Sequence, residues 1–521
     1  MNLFLLFNIL LFGAASVFSL IHHAHMLQQN SYFPSRYLKW LKSNLMHGFV
    51  LNALTLALTV LLCALKAYTP ALVLGAFTAA IKALTNICQQ KKAVKPLVFT
   101  SRVKRYFAAS IIVLAALCAV GFIFDADICL YITAIFCFCT PIFALLLWLV
   151  TTPFEKLIAR HFINDAKRIL KNSNTLKVIG VTGSFGKTSV KQILGELLSE
   201  KYNVLTTPQS FNTPMGVVRT VREQLKRDTQ VFVCEMGAKN KGDIKELCKI
   251  ANPSFAVITS VGAQHLETFK TLENIADTKF ELADYCQNKD GFVLVNFDSS
   301  PARQRAQGLN IISYGTTPDC DFYAKDIKID RYGSSFTVVH KDKKTEIRTR
   351  LLGKHNILNV TAGVAAALLL GISEKDIAFG AARIKPVPHR LETKPYIAGS
   401  VMIDDAYNAN PEGCLEAVNV LSCFDGMKKV IITPGLVELG EKEAECNAAL
   451  AAAAAKVCDY FILVGKKRAQ LMKPAIEKCG FDKNNLFVAQ SFAEATEIYK
   501  NIANKDTVVL IENDLPDNYL I

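Results

Sequence analysis

The stretch 178–191, VIGVTGSFGKTSVK, limits the possible folds more than any other part of the chain. A short β-branched run enters a glycine-bracketed turn, and Lys187, Thr188 and Ser189 then open an amphipathic segment. That order reads as strand, loop and helix. Gly183 and Gly186, with Ser184 and Phe185 between them, let backbone N–H groups converge on phosphate oxygens, and the helix start adds a favourable dipole. Lys187 is placed to reach terminal phosphates and Thr188 to ligate Mg²⁺. The spacing departs from the common G-x-x-x-x-G-K-[ST] form, so the succession of elements carries the expectation of a nucleoside triphosphate site.

At 521 residues the chain exceeds one compact domain. Its first 150 or so residues are dominated by apolar runs at 3–20, 49–65, 71–84, 107–124 and 128–150. Three of them reach the roughly 18 residues that cross a bilayer, and two are shorter. The first run has no positive charge ahead of it and reads as a retained span rather than a signal peptide. Arg36, Lys39 and Lys42 follow the first run; Lys91, Lys92, Lys95, Arg102, Lys104 and Arg105 follow the third. The connections between carry only Lys66, or Asp125 and Asp127. Basic loops lie inside, so the expectation is about five spans, the N-terminus outside, and everything after the last span in the cytoplasm. The third run could alternatively be re-entrant. No ionisable cluster marks a transport pathway through the runs. The net charge of +14 is concentrated in these loops, where it sets topology and meets anionic lipid. No basic stripe with interleaved aromatics points to nucleic acid. The 15 cysteines are scattered without a C-x-x-C pair and read as small buried apolar residues.

From residue 175 onward, strand-like runs (177–181, 231–235, 255–260, 292–296, 401–404, 429–433, 460–464, 507–511) alternate with helical patterns such as 243–250, 272–286, 412–421 and 441–457. Continuous apolar strands separated by helices predict α/β architecture, with parallel sheets covered on both faces. The more polar stretch 322–351 predicts antiparallel strands turning at Tyr332-Gly333. Two prolines near 385–388 mark a boundary. The domain organisation expected is therefore a transmembrane helical region at 1–152, an ATP-binding domain at 153–386 and a Rossmann-like domain at 387–521. Three residues lie where ligands meet such sheets. Glu235 ends a strand beside the phosphate loop and is a candidate Mg²⁺ ligand; His265 follows the next strand; Lys279 lies on the helix after it. Each is ordinary alone, and their joint order is what carries meaning.

Nine blocks in order then resemble the Mur ligase family, the ATP-dependent enzymes that extend the cell-wall precursor peptide: GVTGSFGKTSVK at 180–191, SFNTPMGV at 210–217, EMGAKNKGDI at 235–244, QHLETF at 264–269, IADTKFE at 275–281, GKHNILN at 353–359, HRLE at 389–392, IDDAYNANP at 403–411 and LVELGE at 436–441. The NANP and ELGE blocks favour the MurF type, which adds D-alanyl-D-alanine to UDP-N-acetylmuramoyl-tripeptide. The resemblance implies ATP and Mg²⁺ as cofactors. Lys187 and the loop would hold the β- and γ-phosphates, with Thr188 and Glu235 on one Mg²⁺. His265 would ligate a second Mg²⁺, helped by Lys279 as its carbamate. His355 and Asn359 fall in the block on the adenine side, Arg390 would contact phosphates, Asp405 the ribose, and Asn212 and Thr213 the acceptor. As partners it implies a muramoyl peptide, an amino acid or dipeptide, membrane lipid and other cell-wall enzymes.

Two departures qualify this. The apolar region stands where soluble members carry a domain for the UDP-sugar, so the acceptor is either UDP-linked or lipid-linked. The MurF type also has a Lys-Gly-Ser-Arg-like motif after the last strand, where this chain has an acidic run from Glu512 to Tyr519. That run implies altered recognition of the incoming group, or a plain surface terminus. The alternatives are an amide ligase of the same superfamily acting on a lipid-linked or polyglutamate-type acceptor, and a non-catalytic membrane scaffold.

Overall fold

Apolar residues on every side of a helix leave it no face for water, and the first unit of the computed structural model, Met1–His161, is built of such helices. The structure describes residues 3–513 except 31, 93–95, 174, 210, 263–265, 288, 407–409, 438 and 440–441. The helices are α1 (Leu3–Gln29), α2 (Pro34–Ala64), α3 (Tyr68–Lys92), α4 (Ser101–Phe124), α5 (Ala126–Phe138) and α6 (Thr140–Lys171). Thr100 caps α4 by accepting from Val103 N at 3.3 Å, and Asp125 caps α5. Phe12, Leu20, Leu130 and Phe136 are buried in this unit, while Ile112, Ile123, Phe124 and Leu149 are exposed on it. Among the described residues, four helices are long and apolar enough to cross a membrane: Leu3–Gln29, Tyr68–Cys88, Ser101–Phe124 and Thr140–Lys171.

Two expectations change here. The run 128–150 is not one span: α5 ends at Phe138 and α6 starts at Thr140. Pro141 has no N–H to donate and its ring crowds the carbonyl four residues back, which favours a helix start at that point, in the first turn of α6. The third run is not re-entrant, because α3 is continuous over 25 residues. One lysine side chain lies among these helices, with Lys82 Nζ 3.3 Å from Ser19 Oγ.

The second unit, Phe162–Ile521, holds two sheets. The first contains β1 (Lys177–Thr182), β2 (Val204–Thr206), β3 (Val231–Glu235), β4 (Phe255–Ile258), β5 (Val293–Asn296), β6 (Ile312–Gly315), β7 (Phe322–Asp330), β8 (Gly333–His340) and β9 (Lys343–Thr349). Their order is β2-β3-β1-β4-β5-β6-β7-β8-β9, parallel up to β7 and antiparallel beyond it. Ile179 and Val181 pack on one face against Ile193, Leu194 and Leu197 of α7 (Lys187–Leu198). Val178 packs on the other face with Phe232 and Phe280. Both faces are thus covered, which is why these strands read as continuous apolar runs. The second sheet contains β10 (Glu392–Pro395), β11 (Val401–Asp405), β12 (Lys428–Thr433), β13 (Tyr460–Val464), β14 (Leu486–Ala489) and β15 (Thr507–Glu512), in the order β10-β11-β15-β12-β13-β14. Only β10 runs antiparallel to its neighbour, at the edge, where Pro395 costs no interior ladder bond.

After β1 the chain goes to β2 and β3 on one side of it, and then to β4 on the other. The carboxyl ends of β1, β3 and β4 therefore meet at a topological switch point, the crevice where open α/β sheets take ligands.

Candidate nucleotide and metal site

The loop 183–186 leaves β1 at this crevice, pinned from behind. Ser184 N donates to Ser260 O at 2.6 Å, Thr259 Oγ1 to Phe185 O at 2.5 Å, and Gly262 N to Ser184 Oγ at 3.0 Å. Gly186 has φ +80° and faces Asn359, whose Oδ1 would lie 2.7 Å from any added Cβ. A side chain is excluded there twice, by the left-handed backbone and by the helix Lys354–Leu369 behind it. Gly186→Ala is expected to weaken ATP-analogue binding at least ten-fold and to cost roughly 1–2 kcal/mol of stability. Calorimetric titration with a melting curve checks both; an unchanged Kd would contradict the cradle.

Lys187 begins α7 and is half-buried. Its Nζ donates to Gly183 O at 2.7 Å and Ser184 O at 2.9 Å. Burial, with the nearby Arg390 charge, lowers its pKa to about 8 against the opposing pull of Glu235.

Glu235, at the end of β3, is 1% exposed and is the hub of the site. Thr188 Oγ1 donates to its Oε1 at 3.3 Å, and Asn212 Nδ2 donates to the same oxygen at 3.0 Å. Lys191 Nζ lies 3.0 Å from Oε2, which has no hydrogen bond of good geometry. Lys191 was not singled out in the sequence. Its signal was the four-residue step from Lys187, which puts both amines on one face of α7. A carboxylate paired with a buried lysine, with a threonine hydroxyl beside it, offers hard oxygen donors that suit Mg²⁺. Asn212 thus sits against the same carboxylate as Thr188. Thr213 caps the helix Pro214–Gln224 by accepting from Gly216 N at 3.4 Å, so its hydroxyl already has a structural task.

Lys279, in the helix Leu272–Cys286, is 2% exposed. Burial and the Lys187 charge lower its pKa to about 7, opposed by Asp243 and Glu281. His265 lies outside the described residues. Asn359 is buried beside the loop, while His355 stands exposed on the first turn of the same helix. Arg390 lines a small cleft with Ser189, Gln192, Asn356 and Lys385. Asp405 Oδ1 accepts from Leu391 N at 3.1 Å, and burial raises its carboxyl to about 7. Glu512 pairs in register with Asp405 and is fully buried, accepting from Cys414 Sγ at 2.8 Å. Burial, with Asp405 beside it, pushes its pKa well up, and this member of the acidic run is a core residue rather than a surface one. Residues 514–519 of that run lie outside the described residues.

Residues 181–367 match the profile of the Mur ligase middle domain, and residues 389–512 that of the Mur ligase, glutamate ligase domain. The UDP-N-acetylmuramoyl-tripeptide--D-alanyl-D-alanine ligase of Bacillus subtilis is 32% identical over 352 residues, which cover 67% of this chain and 75% of the relative. The chain belongs to the Mur ligase family. The Escherichia coli ligase of the same name is 30% identical over 297 residues, 56% of this chain and 65% of its own length. Among solved structures, MurF ligase of Thermotoga maritima in complex with ADP superposes with a TM-score of 0.60 at 27% identity, covering 69% of this chain and 81% of that one. The Mur ligase matches begin at residue 181, beyond the apolar helices. ATP with Mg²⁺ is the cofactor pair of this family, and the oxygen donors at Glu235 and the glycine cradle suit both.

Proposed function

We propose that this chain joins D-alanyl-D-alanine to the tripeptide of a muramoyl precursor, activating the tripeptide carboxylate with ATP as an acyl phosphate. The observation that carries the reading is the Glu235 hub beside the Lys187 loop, in a chain 32% identical to a ligase of that name. A carboxylate is a poor acyl donor, and its phosphoryl ester is a good one. Mg²⁺, held by Thr188 and Glu235 and on the resemblance also by His265 and carbamylated Lys279, would neutralise phosphate charge. Lys187 adds positive charge at the terminal phosphates, and Lys191 holds Glu235 in place through their ion pair. Arg390, His355 and Asn359 would contact the nucleotide, Asp405 its ribose, and Asn212 and Thr213 the acceptor. Arg390 and Asp405 come from the part of the chain that carries the second sheet. Its closure would complete the site and keep water from the acyl phosphate.

The domains we assign are the helical region 1–152, the central domain 153–386 and the C-terminal domain 387–521. We place the helical region in the cytoplasmic membrane and both catalytic domains in the cytoplasm, from the four long apolar helices and the basic loops between them. This favours a second form of the reading, in which the acceptor is lipid-linked and presented at the membrane surface.

Phosphate release by detergent-purified protein with ATP, Mg²⁺ and D-alanyl-D-alanine, comparing UDP-muramoyl-tripeptide with its lipid-linked counterpart, tests both. Release is expected only when amine and acceptor are both present, and the preferred acceptor decides between the forms. Silence with either acceptor, while ATP still binds, would refute the dipeptide assignment.

A further inference from the structure

The helical unit contains a cation without a counter-ion. Lys82 of α3 lies near the end of the apolar run 71–84, its Nζ 3.3 Å from Ser19 Oγ, 3.5 Å from Cys137 O and 5.9 Å from the centre of the Phe138 ring. Residues 1–161 contain only three acidic residues, Asp125, Asp127 and Glu155. Asp127 accepts from Tyr68 OH at 2.8 Å, Glu155 pairs with Arg105 at 2.6 Å, and Asp125 caps α5. Asp127 and Cys137 lie on the same helix, ten residues and so about 15 Å apart. Neither aspartate at the start of α5 can therefore serve Lys82 at its end. The closing carbonyls of α5 offer about half a charge.

Polar side chains of α1 and α3 lie on the same side as Lys82. Ser19 shares a face of α1 with His22 and His23, three and four residues on. His23 Nδ1 lies 2.9 Å from Tyr37 OH, and the His22 ring is 5.7 Å from that of Trp40. Asn86, one turn beyond Lys82 on α3, donates to Phe18 O at 2.6 Å. Beyond this layer the helix ends and loops carry Arg36, Lys39, Lys42, Arg102 and Lys104. Positive charge thus continues from the basic loops to Lys82 near the end of its apolar run, a pattern that suits an anionic lipid headgroup.

We propose that Lys82, with the polar layer of Ser19, His22 and His23, binds the phosphate group of a membrane lipid. The helical unit is then a lipid receptor as well as an anchor. This rests on the membrane reading of the helices and not on the ligase assignment.

The test uses the full-length protein. Carbonate-washed membranes must retain it; recovery in the soluble fraction would overturn the membrane reading and this inference together. Native mass spectrometry from a non-ionic detergent then compares phosphatidylglycerol, a polyprenyl diphosphate and, as the phosphate-free control, diacylglycerol. The expected result is retention of the two phosphate lipids over diacylglycerol, an at least ten-fold loss in Lys82→Gln, and retention in Lys82→Arg. Competition between the two phosphate lipids identifies the source. The chain has two tryptophans, so a Trp148→Phe variant leaves Trp40 to report binding with Lys82 intact. Equal binding of diacylglycerol, or wild-type binding in Lys82→Gln, would overturn the inference while leaving the membrane reading in place.

Discussion

Lys187→Ala is expected to lower ATP-dependent phosphate release by on the order of 10³-fold, with little change in melting temperature. The side chain combines two tasks that no other residue of the loop can take over. Its ammonium holds the loop through Gly183 O and Ser184 O, and it supplies charge where the terminal phosphates would lie. Lys187→Arg should not restore activity, because a planar fork cannot reproduce a compact ammonium seated between two carbonyls. The pH dependence has a definite sign. Lys187 is charged below about 8, so kcat/KM for ATP should fall as pH rises through that value. Steady-state kinetics of wild type and both variants, with melting curves, test this; activity within ten-fold of wild type in Lys187→Ala would remove the loop from the mechanism.

Lys279→Met is expected to abolish activity and make the protein more stable. The amine has a pKa of about 7 in the folded chain, against 10.5 for an ordinary lysine. Between those values the unfolded chain holds a proton that the folded chain has released, so stability rises with pH across that window. Below about 7 both states are charged, and the folded one bears the full cost of a buried ammonium. Methionine removes that cost. Unfolding at neutral pH should become harder by a few kcal/mol, on the order of 3, and the slope of stability against pH should flatten. Urea titrations over that pH range measure it; a less stable Lys279→Met would mean that the amine has a stabilising partner. The same low pKa leaves a large neutral fraction at pH 7, the form that adds CO₂. Wild-type activity should therefore fall in CO₂-free buffer and return with bicarbonate, while Lys279→Met responds to neither.

A residue that destabilises its own fold marks where chemistry has outweighed packing. Lys279 gave no such signal in the sequence, where it is one lysine on an amphipathic helix and only its place in an ordered set of blocks drew attention. Other parts were more legible. The phosphate loop is a local object, since strand, turn and helix follow within fifteen residues and glycine spacing encodes the bend. The buried parallel strands were visible as apolar runs because both faces are covered. The antiparallel part, β7 to β9, was visible through alternation and the turn before Gly333. The short strands β2, β6, β10 and β14 were not, because three or four residues hold too little periodicity to be told from loop.

What the sequence by itself determined was the kind of chain this is: an apolar helical region, then α/β domains with a nucleotide loop and the ordered blocks of the Mur ligase family. These rest on local pattern, which a single pass along the chain can read. What the tertiary structure decided is everything that depends on residues distant in the chain. Lys191 meets Glu235 across 44 positions, Asn212 joins the same carboxylate, and Glu512 is buried against Cys414. Pro141 divides what read as one span, and Lys82 enters the bundle away from every acidic residue of its unit. Charge state and coordination are properties of neighbourhoods, and a neighbourhood exists only once the chain has folded.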